Sequence, residues 1–318
     1  MLVASLLASS CSGDGEGEAG RKPTTEATTS TTHPDGYAVG RRFMEFVDPS
    51  RPTAGVPEQD RPAEPDRTIP VMLLYPASGE ADDAIEVQDD TPPAEGEFPL
   101  VVWVHGLNST GPDPQEGVKD WAAEGYIVAL PTFPLTSAPA GVLTDYVNQP
   151  ADVSFLIDQL LGLPEDDALA EHVDAESIAV TGHSLGGMTA IGLGFNSCCA
   201  DDRLDAVIEM SGVRAPFPEG EYGDLGRVPL LAVHGALDDT IPVSGSDTLF
   251  ADAPGPAAYL RFPESGHADY LLAEQELMDA VVLAFLDLYL RGDGEAFAAV
   301  PELVDAHDSA TLEVKPAP

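Results

Sequence analysis

The run Ile178-Ala179-Val180-Thr181-Gly182-His183-Ser184-Leu185-Gly186-Gly187 constrains this chain more than any other stretch. A strand-like apolar segment enters Gly-x-Ser-x-Gly and continues as a helix-like stretch, the spelling of a nucleophile elbow. A serine on so sharp a strand-to-helix turn has strained backbone angles, and the residues two before and two after it must be small for the two elements to pack closely. Gly182 and Gly186 fill those places. The turn leaves the Ser184 hydroxyl at the carboxyl end of a strand and the Leu185 amide at a helix N-terminus, where an oxyanion can be held. With 30 glycines in the chain the pentapeptide can arise by chance, so its partners must come from elsewhere.

The flanking sequence reads as a scaffold for such a turn. Arg41 to Val47 and Thr68 to Pro76 have strand character and are joined by a Pro-rich link, which places them as antiparallel strands at a sheet edge. An acidic hairpin or loop follows from Asp82 to Glu97, and then Pro99 to Gly106 is a continuous apolar run of the kind buried on both faces of a parallel sheet. Downstream, helices are expected over 115–124, 150–163 and 185–195, strands over 126–131, 178–181, 206–211, 228–235 and 257–262, and one long closing helix over 269–290. This alternation predicts an α/β fold with a mostly parallel central sheet of about eight strands and helices on both faces. The stretch between Met210 and Val228 is too short for a large helical lid.

A serine hydroxyl needs a base, and the base needs an orienting acid. Of the seven histidines, His33 falls in a polar N-terminal stretch, His307 in the tail and His172 in a polar surface segment. His105 and His234 end strands before glycine, which suits a backbone-shaping role, and His183 lies within the elbow itself. His267, in the loop Pro263-Glu264-Ser265-Gly266-His267-Ala268 after the last strand, is the expected base. The elbow motif carries the order Ser, acid, His, and His234-Gly235-Ala236-Leu237-Asp238-Asp239 supplies two acids in that interval. Asp238 is the choice, with Asp239 as a solvated neighbour or a cap for the segment that follows. The oxyanion hole is expected from the amides of Leu185 and Leu107, with Asn108 and Ser109 as lesser candidates for the second donor. No cofactor is called for, and Asp82-Asp83, Asp89-Asp90 and Asp201-Asp202 lack the spacing of a calcium or zinc site. Adjacent Cys198 and Cys199 can close a vicinal disulfide, but such a pair is more often one buried and one semi-exposed thiol, and they are assigned a structural role.

Three separated motifs carry a resemblance: Val101-Val102-Trp103-Val104-His105-Gly106, Gly182-His183-Ser184-Leu185-Gly186-Gly187, and Gly235-Ala236-Leu237-Asp238 with Ser265-Gly266-His267. From about Tyr37 to Leu290 the chain resembles an α/β-hydrolase, and within that superfamily the dienelactone hydrolase, bacterial platelet-activating-factor acetylhydrolase and cutinase-type polyesterase group. The resemblance implies a serine ester hydrolase working through an acyl-enzyme, with Ser184 as nucleophile, His267 as base, Asp238 as orienter and Leu107 and Leu185 as oxyanion donors. Substrates would be small-molecule or polymeric esters, lipid esters and polyesters included. His183, Phe133 and Phe217 are the expected substrate contacts, with Tyr222 beside them. Leu107 departs from the cutinase-type polyesterases, which usually carry an aromatic residue there, and the aliphatic wall puts aromatic-polyester cleavage in doubt. Competing readings are a peptidase or other acyl transferase on the same fold, and an inactive surface binding protein.

Charge and the N-terminus bear on where such an activity would work. Asp and Glu number 55 against 14 Lys and Arg, a formal net charge of −41. Such a field repels phosphate backbones and anionic headgroups, which argues against nucleic-acid partners. It is read equally as an adaptation to salt or as a solubilising surface. Residues 1–11, ending Leu6-Leu7-Ala8-Ser9-Ser10-Cys11, resemble a truncated signal segment with a lipobox, and 12–36 a polar tether, ahead of a single domain over 37–318 whose tail is acidic from about 292. The expectation is a secreted or envelope-anchored protein, tethered to a membrane through lipidated Cys11.

Overall fold

The computed structural model describes residues 36–81 and 85–317. The lipobox-like segment with Cys11, the tether, His33 and the pair Asp82-Asp83 lie outside the described residues. The Pro-rich N-terminal part forms β1 (Ala38–Asp48) and β2 (Arg67–Ala77), a long antiparallel pair, and β3 (Val87–Asp89) adds three residues parallel to β1. Then strands and helices alternate: β4 (Phe98–Val104), α1 (Gln115–Ala123), β5 (Ile127–Pro131), α2 (Gln149–Leu161), β6 (Val173–His183) and α3 (Leu185–Phe195). The second half continues with β7 (Ala206–Met210), β8 (Leu230–Gly235), α4 (Ser244–Asp252) and β9 (Ala257–Phe262). It closes with α5 (Tyr270–Ala273), α6 (Gln275–Leu286), α7 (Glu295–Asp305) and β10 (Thr311–Lys315).

All strands join one ten-stranded sheet in the order β10-β9-β8-β7-β6-β4-β5-β2-β1-β3. Its centre, from β5 through β4, β6, β7 and β8 to β9, is parallel. Strand alternation then sorts the apolar residues into two layers. Leu100, Val102 and Val104 of β4 face a core shared with α2, α3 and α4, whereas Val101 and Trp103 face one shared with α1, α6 and α7. Both faces are covered, which is why these strands read as unbroken apolar runs. The antiparallel edge is tied down by charge: Arg67 of β2, 1% exposed, meets Asp152 of α2 at 2.6 Å and Asp145 at 2.7 Å.

The sheet exceeds the expected eight strands at its two edges. β3 lies in the acidic loop, and β10 lies in the acidic tail, where Thr311-Leu312-Glu313-Val314-Lys315 alternates and pairs antiparallel with β9. Lys315 Nζ donates to the carbonyls of Phe250, Ala251 and Ala253, so the tail's cation neutralises the C-terminal end of α4. The expected long closing helix is broken. Glu274 leaves helical geometry at φ −122° and ψ 24°, separating α5 from α6, and its carboxylate accepts from Ser309 Oγ at 2.9 Å. A wider turn over Asp287–Arg291 then ends α6 before Gly292 at φ 70°.

Candidate active site

At the end of β6, Ser184 has φ 59° and ψ −118°, a conformation a side chain adopts only when the surroundings impose it. They do so through close packing. A Cβ at Gly186 would lie 1.9 Å from the Val104 carbonyl oxygen, and one at Gly182 2.5 Å from the Gly186 carbonyl carbon. The Ser184 N–H donates to the Met210 carbonyl on the neighbouring strand at 2.8 Å, fixing the turn from behind. Leu185 is the first residue of α3, so its amide is among those a helix leaves without an intrahelical acceptor.

His267 comes to the same place from the loop after β9. Its Nε2 lies 2.9 Å from Ser184 Oγ and its Nδ1 2.6 Å from Asp238 Oδ2. With a carboxylate at Nδ1, the hydrogen sits there and Nε2 faces the serine with its lone pair. The other oxygen, Asp238 Oδ1, accepts the amides of Thr240 and Ile241 at 2.8 Å each. The Asp238 side chain is closed to solvent. Burial works to raise that carboxyl, but the His267 N–H and the two amides outweigh it and hold it below the usual carboxylate range. Asp239, one residue on, is exposed and accepts only from Thr240, at 3.4 Å.

The loop that carries His267 is held by the carbonyl of His267. His267 O accepts from His183 Nε2 at 2.7 Å and from Ser211 Oγ at 3.1 Å, and Ser211 Oγ lies 2.8 Å from the Tyr270 hydroxyl. His183 is therefore a donor at Nε2 and stays neutral, burial lowering its pKa to about 4. On the oxyanion side, buried His105 donates from Nδ1 to the Gly106 carbonyl at 2.7 Å and accepts the Phe133 N–H at Nε2 at 3.1 Å. That arrangement sets the backbone just ahead of Leu107.

Ser184 and His267 open into a cavity of about 450 Å³. Its apolar lining comes from Leu107, Trp103, Val118, Leu271, Leu272 and Met278. His183 lines it as well. Two expected contacts do not. Phe133 is 0% exposed, drawn inward against the His105 ring at 5.1 Å between centroids. Phe217 is buried on Gly192 of α3, where a Cβ would sit 2.6 Å from its ring, and packs edge-on against Tyr146 at 5.3 Å. Tyr222 turns its hydroxyl to the Ala215 carbonyl at 2.9 Å. Phe133, Phe217 and Tyr222 are absent from the cavity lining, to which Leu107, Leu271 and Leu272 contribute instead. Leu271 and Leu272 belong to α5, the short helix that Glu274 separates from α6, and the sequence periodicity runs across that break without a signal.

Behind Asp238 lies a polar line the sequence did not announce. His234 Nε2 is 3.0 Å from Asp238 Oδ2, its Nδ1 is 2.7 Å from Ser246 Oγ, and Ser246 meets Glu209 Oε1. Among the described residues, no cluster of His, Cys, Asp or Glu could hold a metal ion, and no helix is long and apolar enough to cross a membrane. Cys198 and Cys199 form a disulfide with Cα atoms 3.8 Å apart, in the loop after α3.

In the solved ferulic acid esterase from Streptomyces cinnamoneus the same architecture recurs, with a TM-score of 0.67 over 86% of this chain and 96% of that one, at 21% identity. The chain has the α/β-hydrolase fold. A chlorophyllase family model matches residues 82–216 of the chain. Chlorophyllase-1, chloroplastic, from Citrus sinensis and from Citrus unshiu are each 29% identical over 129 residues. That region is 39% of this chain and 38% of either relative, so the chain spans well under half the length of the curated relatives it matches. The family-model match ends at residue 216, beyond the elbow but short of Asp238 and His267.

Proposed function

We propose that this protein is a serine ester hydrolase acting through an acyl-enzyme. The observation that carries the reading is the continuous hydrogen-bonded line from Ser184 through His267 to a solvent-closed Asp238, opening into a leucine-walled cavity. The esterase and chlorophyllase likenesses support it. In this mechanism His267 Nε2 takes the Ser184 proton as Oγ attacks the ester carbonyl. The amides of Leu107 and Leu185 hold the developing oxyanion, and His267 returns the proton to the departing alcohol. Water repeats the sequence on the acyl-enzyme. Asp238 keeps the imidazole in the required tautomer and offsets the charge it acquires.

The walls favour an aliphatic acyl or alcohol group. Leu107, Val118, Leu271, Leu272 and Met278 present aliphatic surface beside the single indole of Trp103, and among the described residues no Lys or Arg lines the cavity, while Asp113 and Glu116 do. Neutral esters, including lipid esters and aliphatic polyesters, suit this surface better than anionic ones. The Cys11 lipobox and its tether make the cell envelope or the medium the place of action in this reading. Turnover of a chromogenic ester series from short to long acyl chain tests it. Ser184→Ala should lower kcat by at least about a thousandfold with the fold retained, and substantial residual turnover would sink the assignment.

A further inference from the structure

The line behind Asp238 fixes where its protons must be. His234 Nε2 lies 3.0 Å from both Asp238 Oδ2 and the Ile241 carbonyl oxygen. Both are acceptors, so Nε2 carries a hydrogen. In a neutral imidazole Nδ1 is then a bare lone pair, and its partner at 2.7 Å is Ser246 Oγ. Ser246 has one hydrogen. Directed at His234 Nδ1, it leaves Ser246 Oγ an acceptor toward Glu209 Oε1, and that oxygen must bear the next proton. Glu209 Oε2 is the acceptor end, taking the Gly212 N–H at 2.8 Å.

A second arrangement holds the same number of protons: a Glu209 carboxylate, with the proton moved through Ser246 to make an imidazolium of His234. It would place two charges where Glu209, Ser246 and His234 are each 0% exposed. Burial disfavours both charged forms. The other titratable groups near Glu209 are Tyr259 from β9 and Tyr270 from α5, both with their hydroxyl pKa raised, so neither supplies a compensating cation. The α3 backbone comes against this pocket at Gly187 and adds no charge. An imidazolium at His234 would also sit on the oxygen of Asp238 that His267 uses, cancelling the charge Asp238 holds for the base.

We propose that Glu209, as a neutral carboxylic acid, heads a one-way chain of hydrogen bonds through Ser246 and neutral His234 to Asp238, and that these three act as positioning residues for the orienting acid. The chain delivers a second N–H to Asp238 Oδ2, so the carboxylate is gripped by His234 and His267 on one oxygen and by two amides on the other. Burial pushes the Glu209 carboxyl up to about 7. Below that pH the chain is complete. Above it, loss of the proton turns the Ser246 hydroxyl toward Glu209 and leaves His234 Nδ1 without a donor.

The proposal rests on Ser184, His267 and Asp238 having the roles proposed above, and the test keeps the two apart. Glu209→Gln is isosteric with the neutral acid: its amide N–H can donate to Ser246 while its oxygen accepts from Gly212. The rate of Ser184 modification by a fluorophosphonate probe is followed against pH in the native protein, Glu209→Gln, Glu209→Ala and Ser246→Ala, each checked for native circular dichroism. Glu209→Ala and Ser246→Ala should slow modification by about tenfold at pH 6 to 7, through loss of order in a coupled network. Glu209→Gln should restore most of that loss and give a flatter profile than the native protein above pH about 7. Difference infrared spectra, native minus Glu209→Gln, should show a protonated carboxylic acid at pH 6. A native protein that the probe never labels would overturn the proposed function. A labelled protein in which Ser246→Ala reacts at the native rate, or Glu209→Gln is as slow as Glu209→Ala, would overturn the chain alone, as would a carboxylate signature for Glu209 at pH 6.

Discussion

Asp238 is the residue on which the site's electrostatics converge. It accepts from His234, His267, Thr240 and Ile241, and its neighbour Asp239 shares none of those main bonds. Asp238→Asn would present an amide to His267 Nδ1, favour the wrong tautomer and lower kcat by roughly 10³ to 10⁴. Asp239→Asn, at an exposed carboxylate, should leave kcat within about twofold. Steady-state kinetics on one ester decide it, and equal losses in the two variants would contradict the assignment. The acid was legible because a motif fixes its order between nucleophile and base and its place after a strand. Glu209 was not legible: Ala206-Val207-Ile208-Glu209-Met210 is an apolar strand with one acid in it, and only the fold brings Ser246 and His234 to that acid. Phe133 and Phe217 illustrate the opposite failure. An aromatic in a loop near a site reads as a substrate contact, yet each found a partner ring or a helix glycine first.

At the scale of elements, the strand-turn-helix of β6 and α3 is where spelling and geometry coincide. Glycine at 186 is demanded by contact rather than by backbone angle, since an added Cβ would press into the Val104 carbonyl of the adjacent strand. The strand cannot retreat without disturbing the core on both faces of the sheet, nor the helix without opening the core on its own face. Gly186→Ala should therefore cost about 3 kcal/mol or more of stability and displace Ser184. Urea unfolding measures this, and a midpoint equal to that of the native protein would contradict the packing. The helices and parallel strands were legible from length and periodicity. The α5 to α6 break was not, because Leu271, Leu277, Met278 and Val281 keep apolar spacing across Glu274. Edge strands β3 and β10 were harder to read, being short and largely exposed within acidic surroundings.

Across the whole molecule the parallel order of β5, β4, β6, β7, β8 and β9 gathers the ends of four strands into one site: Leu107 after β4, Ser184 after β6, Asp238 after β8 and His267 after β9. Ligand sites at the carboxyl edge of such sheets follow from the fold itself. What the alternation of strands and helices implied about this edge was enough to find the line of three side chains, while the walls of the cavity depended on where one helix breaks. In the proposed reading, a formal net charge of −41 on the chain disfavours the approach of anionic substrates. The central claim is that Ser184, and no other side chain, becomes acylated. Intact-mass analysis and peptide mapping after reaction with a fluorophosphonate test it most directly. One adduct per chain, on Ser184, and none after heat denaturation, is the expected result; an unmodified protein, or an adduct on another residue, would contradict it.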